Sequence, residues 1–236
     1  MSDPHVDESG WEPMRPIERA MARRMVASAQ VPLAAQWTDV QLDDAQALVR
    51  ELKDGGVPAT LTAVILHAVA PSLLEQPTLY ASVDLEHFRR RVPATVNIGV
   101  AVASARGLVV PVVRDVASLS LEEVCRELHA VVEAVRSGDS RRELFSDGAF
   151  SITNIGATGL TGGLPLPNPP QVAILGVSST RRAPVVIDET IQIRTIATLT
   201  LALDHRAVEG MAGAHFLAAT RQRLETVGLA GAKSST

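Results

Sequence analysis

Cysteine occurs once in the 236 residues, at position 125. That excludes a disulfide framework and a cysteine-built metal cluster. Cys125 shares a helical face with Val124, Leu128, Val131 and Val135, so it reads as a packing residue. Aromatic side chains make up only 3% of the chain, and the core must therefore come from Val, Leu, Ile and Ala. No uninterrupted apolar run of about 18 residues exists to form a membrane-spanning helix. The first twelve residues are polar and acidic and lack the apolar centre of a secretory signal. A net charge of -4 gives no basic footprint for nucleic acid. Charges are mixed along the chain, without the blocks that mark acidic tails or basic membrane-surface helices. No spacing of Cys, His, Asp and Glu suggests a metal site. These absences point to a reducing, cytoplasmic setting with no nucleic-acid and no membrane partner.

What remains is a globular composition, 46% hydrophobic and 20% charged, in a chain long enough to build a core without staples. Residues 1–13 read as a flexible leader, 14–227 as one catalytic-sized domain and 228–236 as a flexible tail. Ile17, Met21 and Met25 recur at helical spacing and predict a helix over 16–29. A strand follows at 33–40. An amphipathic helix over 43–53 is stopped by Gly55-Gly56. Residues 61–75 are apolar on nearly every face and predict a buried helix capped by Thr60, with His67 as a core histidine. Residues 96–103 and 108–113 read as strands joined by a hairpin-like connection at 104–107. Ser120 and Glu123 form a capping box that opens a helix reaching 137–138. Strands resume at 149–154, 171–177, 185–187 and 191–203, and a last helix covers 210–226. Neither alternating βαβ throughout nor purely β, this order predicts an α+β fold, a mixed β-sheet with flanking helices.

The sharpest local feature is Leu203-Asp-His-Arg-Ala-Val-Glu-Gly210, where the last strand meets the last helix. A histidine at a strand end can project into a cleft, and imidazole titrates close to neutral pH, as a general base requires. The plainer reading makes Asp204, His205 and Arg206 a solvated charge cluster at a helix start.

The stretch resembles the His-x-x-x-Asp-Gly motif of coenzyme A-dependent acyltransferases. Its Asp-His-Arg form resembles the dihydrolipoyl acyltransferases of 2-oxo acid dehydrogenase complexes. Four further segments are similar to that family and stand in the same order: 17–25, 97–103, 106–115 and 150–156, the last followed by 168–176. The resemblance covers about residues 14–226. It implies a chloramphenicol acetyltransferase-like fold and transfer of an acyl group between coenzyme A and a lipoyl group carried on another chain or domain. In that reading His205 deprotonates the thiol and the Thr153 hydroxyl steadies the oxyanion. Glu209 stands where the family has Asp or Asn, and the extra methylene displaces its carboxylate by roughly a bond length. Asp204 and Arg206 read as an ion pair that fixes the active-site loop, a supporting role, and the resemblance places Arg19 and Arg23 where coenzyme A phosphates bind. It further implies a homotrimer with the site between subunits, a unit from which a larger core can be built, and partners in a lipoyl domain, a 2-oxo acid decarboxylase and a lipoamide dehydrogenase.

Some features stand apart from this pattern. No lipoyl or subunit-binding domain is recognisable, and 228–236 shows no apolar docking end. The glycine-rich stretch 156–163 lacks the Gly-Lys-Ser/Thr ending of a phosphate loop and reads as a flexible connection beside Thr153. His215 reads as packing or surface. Two other functions stay open at this level: a stand-alone acyltransferase for a hydroxyl or amine acceptor, and a non-catalytic trimeric scaffold.

Overall fold

A computed structural model describes residues 10–104 and 107–227. Most of the expected leader (1–9), the tail 228–236 and the centre of the 104–107 connection, including Arg106, lie outside the described residues. In chain order the elements are α1 (Pro16–Ala29), β1 (Leu33–Gln41), α2 (Asp43–Asp54), α3 (Leu61–Leu74), β2 (Ser82–Asp84), β3 (Arg89–Arg91), β4 (Ile98–Val100), β5 (Val102–Ser104), β6 (Gly107–Val109) and β7 (Val112–Val113). After these come α4 (Leu121–Arg136), β8 (Phe150–Asn154), β9 (Ala173–Val177), β10 (Arg181–Ile187), β11 (Thr190–Asp204) and α5 (Gly210–Glu225).

The sheet has seven strands in the order β1-β11-β9-β8-β4-β7, with β10 attached to β11. It is mixed, as expected: β4–β8 and β8–β9 run parallel, and the remaining pairs are antiparallel. Alternation along β11 decides its two faces. Leu199, Leu201 and Leu203 point into the core, while Thr198, Thr200 and Asp204 point the other way. Helices α2, α3, α4 and α5 lie on the core face, while the end of α1 meets the 155–171 connection, where the Ser28 hydroxyl donates to Pro167 O. A β-carbon on Gly213 of α5 would collide with Leu201 and Leu203, which shows how closely that helix meets the sheet. Beside β9 the opposite face is partly covered by the 155–171 connection, with Pro165 lying on Gly176.

Helix α3 is apolar all round because α2, α4 and α5 surround it. Its cap is the expected one: the Thr60 hydroxyl accepts from the Ala63 amide at 3.2 Å. His67 is only half-buried, and that burial still pushes its imidazole pKa down by disfavouring the charged form. Helix α4 opens on the expected capping box. Ser120 Oγ accepts from the Glu123 amide, and the Glu123 carboxylate accepts from the Ser120 amide at 2.7 Å. Ser120→Ala removes the first half and costs about 0.5–2 kcal/mol. Urea unfolding should show this as a lower midpoint at an unchanged slope. Cys125 is buried on the core side of α4, where desolvation pushes its thiol pKa up.

Two expectations need correction. The continuous strands at 96–103 and 108–113 are each broken in two. Residues 98–100 and 112–113 belong to the main sheet, while 102–104 and 107–109 pair separately as a two-stranded ribbon. The Ala101 amide still donates to Ile152 O of β8, the chain turns to its own ribbon from Val102, and Pro111, which has no amide hydrogen, separates β6 from β7. The hairpin β2–β3 was not anticipated. It is short, its β3 is three exposed arginines, and Phe88 turns the chain at φ 49°.

Candidate active site

His205 sits in the turn between β11 and α5. Its backbone amide donates to Pro32 O at 3.0 Å, and the Ala207 and Val208 amides both donate to Asp204 O at 3.0 Å. Val208, 2% exposed, plugs the underside of the turn. Asp204 is nearly buried, and a lone buried carboxylate would be costly. It accepts from the Arg206 amide at 3.0 Å, from Nε at 2.9 Å and from Nη2 at 2.8 Å. This two-pronged pair closes the loop on itself and holds Arg206 more firmly protonated. The expected Asp204–Arg206 ion pair is therefore present. His205 itself is exposed, and its ring forms no hydrogen bond to the described residues. Glu209 occupies the N-cap position of α5 with an exposed side chain that makes no cap bond.

Thr153 lies on β8, on the face away from the helices. It stands opposite Gly176 of β9, which stands opposite Thr200 of β11. Thr153 is half-buried, and its hydroxyl forms no hydrogen bond to the described residues, unlike the cross-strand bond common for a strand threonine. It borders a cleft of about 210 Å³ under the 155–171 connection. The glycine-rich stretch read as a flexible connection supplies part of that cleft's wall and includes a short 3₁₀ turn at Gly156–Thr158.

Within one chain His205 and Thr153 are far apart. Two strand steps of about 4.8 Å separate Thr153 from Thr200 sideways, and five residues at about 3.3 Å lead from Thr200 to position 205. The two groups therefore stand on the order of 19 Å apart, well beyond hydrogen-bond reach.

Arg19 and Arg23 are exposed on α1, where Arg19 Nη1 donates to Met14 O at 2.7 Å. The described contacts bring neither to His205 or Thr153. His215 is exposed on α5. Among the described residues no group of three His, Cys, Asp or Glu could hold a metal ion, and no helix is long and apolar enough to cross a membrane. Sequence reasoning missed the residues around Thr153, above all Gly176, Pro165 and Thr200. The one available signal was a glycine inside a strand, which marks a close approach of another segment.

Comparison with known proteins bears on the family and the fold. The dihydrolipoyllysine-residue acetyltransferase component of the pyruvate dehydrogenase complex of Rickettsia bellii is 31% identical over 94% of this chain and 54% of its own length. The lipoamide acyltransferase component of the branched-chain alpha-keto acid dehydrogenase complex of Pseudomonas aeruginosa is 32% identical over 90% of this chain and 51% of its own. The chain thus spans about half the length of the curated relatives it matches. The crystal structure of the dihydrolipoamide acetyltransferase of Azotobacter vinelandii superposes with TM-score 0.86 at 29% identity, covering 96% of this chain and 98% of that one. For that enzyme a serine, a histidine and an asparagine have been investigated in the catalytic mechanism. Chloramphenicol acetyltransferase, 13% identical, superposes with TM-score 0.56 over 93% of this chain and 98% of its own, and shares the expected fold. The sequence pattern of the 2-oxoacid dehydrogenases acyltransferase (catalytic domain) family matches residues 7–231, and the chain belongs to that family.

Proposed function

We propose that this chain moves an acyl group between coenzyme A and dihydrolipoamide, with His205 of one copy and Thr153 of the next acting at a shared seam. The observation that carries the reading is the pairing of two unengaged groups, an imidazole and a hydroxyl, at sheet positions that one chain cannot bring together. A donor on one copy and an acceptor on the next make a directional contact, and such contacts close into rings. A homotrimer is the assembly proposed here. Residues 228–236, where the sequence shows no apolar docking end, lie outside the described residues.

The chemistry is a direct exchange. His205 takes the proton of the incoming thiol, and the thiolate attacks the thioester carbonyl. The resulting oxyanion receives the Thr153 hydroxyl proton as a hydrogen bond. Collapse breaks the bond to the departing sulfur, which recovers the proton from the imidazolium. One base therefore serves both directions, with no acyl group on the protein. The Asp204–Arg206 pair positions the loop that carries His205. Glu209, one methylene longer than the family's Asp, reshapes the seam without supplying the base. Arg19 and Arg23, exposed cations on α1, suit the coenzyme A phosphates. The lipoyl group is brought on a separate carrier, which makes a lipoyl domain, a 2-oxo acid decarboxylase and a lipoamide dehydrogenase the proposed partners.

The test is the initial rate of transfer from acyl-coenzyme A to dihydrolipoamide. Thr153→Ala should lower kcat by about 10²–10³-fold, the usual effect of removing one oxyanion donor. Thr153→Ser, which keeps the hydroxyl, should recover most of the loss. Wild-type protein that acylates an alcohol or amine but leaves dihydrolipoamide untouched would overturn the acceptor, and no transfer to any acceptor would leave a scaffold.

A further inference from the structure

We infer that the cleft beside Thr153 receives the acyl chain and selects a branched, uncharged acyl group of four or five carbons over acetyl and over succinyl. This rests on the acyl-transfer reading, because it assigns the space next to the proposed oxyanion donor.

The cleft is built for carbon. Ile155, Leu164 and Pro165 form its apolar walls, Gly176 lies at its floor, Thr153 borders it, and Val177 meets it only through its backbone because its side chain is buried in the core. Ser178 and Thr200 add hydroxyls, but the Ser178 hydroxyl is already committed: it accepts from the Thr198 amide at 2.8 Å and donates to Ser179 O at 3.0 Å. No lysine, arginine or histidine is among the lining residues. Arg181 reaches the same face of the sheet beside Thr198, yet its guanidinium is held by Asp39, Nη2 to Oδ2 at 3.2 Å. A succinyl carboxylate entering here would give up its water without gaining a free cation from this chain, which disfavours it.

Size separates the remaining candidates. A volume of about 210 Å³ corresponds to roughly seven water-sized groups at about 30 Å³ each. Acetyl places a single methyl beyond its carbonyl and would leave most of that apolar space wet. Isobutyryl and isovaleryl place three and four carbons there. Gly176 sets the depth: a β-carbon at this position would stand 3.3 Å from Pro165 Cγ, so hydrogen is what lets the proline settle without filling the cleft.

The experiment compares kcat/KM for acetyl-, isobutyryl-, isovaleryl- and succinyl-coenzyme A with dihydrolipoamide as acceptor. The branched substrates should exceed acetyl by at least about 10-fold, since a methylene in a fitted pocket is worth roughly 10–200-fold, and succinyl should rank last. Gly176→Ala should lower the branched-to-acetyl ratio by about 10-fold or more. Leu164→Ala, at the exposed rim, should shift preference toward longer chains such as hexanoyl, which keeps the test decisive if Gly176→Ala fails to fold. Acetyl or succinyl as best substrate, or ratios that neither variant moves, overturns the acyl class while acyl transfer stands. Absence of transfer from every acyl-coenzyme A overturns the acyl-transfer reading, and this inference with it.

Discussion

Mixed in equal amounts and allowed to exchange subunits, His205→Ala and Thr153→Ala chains should regain about a quarter of wild-type transfer activity, because in the proposed seam the histidine comes from one copy and the hydroxyl from the next. Each variant alone should be nearly dead. A general base contributes about 10²–10⁴-fold, so His205→Ala should lose at least that lower figure. The arithmetic of recovery is simple. Half of the copies keep the imidazole, half keep the hydroxyl, and a seam works when an intact histidine happens to face an intact threonine. Were the working His205 and Thr153 instead drawn from the same chain, every copy in the mixture would carry one defect and nothing would return. The strand register makes that second outcome the unexpected one, since Thr153, Gly176 and Thr200 stand in a row and His205 lies five residues beyond its end. Neither substitution removes a hydrogen bond among the described residues, so both chains should assemble, which sizing on a column checks before the assay. Recovery absent after proven exchange would remove the shared seam from the proposal.

What the sequence made legible followed from local signals. The helices at 16–29, 43–53, 61–75 and 120–138 are set by periodicity and capping residues close in the chain, and the Ser120–Glu123 and Thr60 caps stand where the residue types put them. The Asp204–Arg206 pair was legible for the same reason, two residues apart. The broken strands between 96 and 113 were not, because β propensity is continuous through Val109-Val110 and only the partner strands reveal where the chain leaves one sheet for another. Nor was the distance between His205 and Thr153. It depends on β9 lying between β8 and β11, a non-local pairing that no window of sequence reports. The cleft beside Thr153 was hidden likewise, since its walls come from residues 155–165 and 176–178 and from Thr200, brought together only by the sheet.

Phe216→Ala should be the most destabilising single change among those considered, costing about 3–5 kcal/mol as a fully buried aromatic truncated to a methyl. Phe216 is 0% exposed on α5 and meets Phe150, also 0% exposed on β8, with ring centroids 5.6 Å apart at 58°. The tilted contact adds to the burial of two large apolar side chains in a chain with few aromatics. Against a typical total stability of about 5–15 kcal/mol, the loss should lower Tm by on the order of 10 °C in differential scanning calorimetry. The contact also has a place in the proposed chemistry. Helix α5 begins directly after the His205 turn, and β8 ends at the Thr153 segment, so the two rings join the element behind the base to the element behind the oxyanion donor. Transfer activity should therefore fail at the same lowered temperature at which the structure melts. Phe88→Ala is the matched control: at 92% exposure its loss should change stability by no more than about 0.5 kcal/mol. A Phe216→Ala protein as stable as the Phe88→Ala protein would mean that α5 does not press on the sheet as described, and the placement of His205 at its start would lose its support.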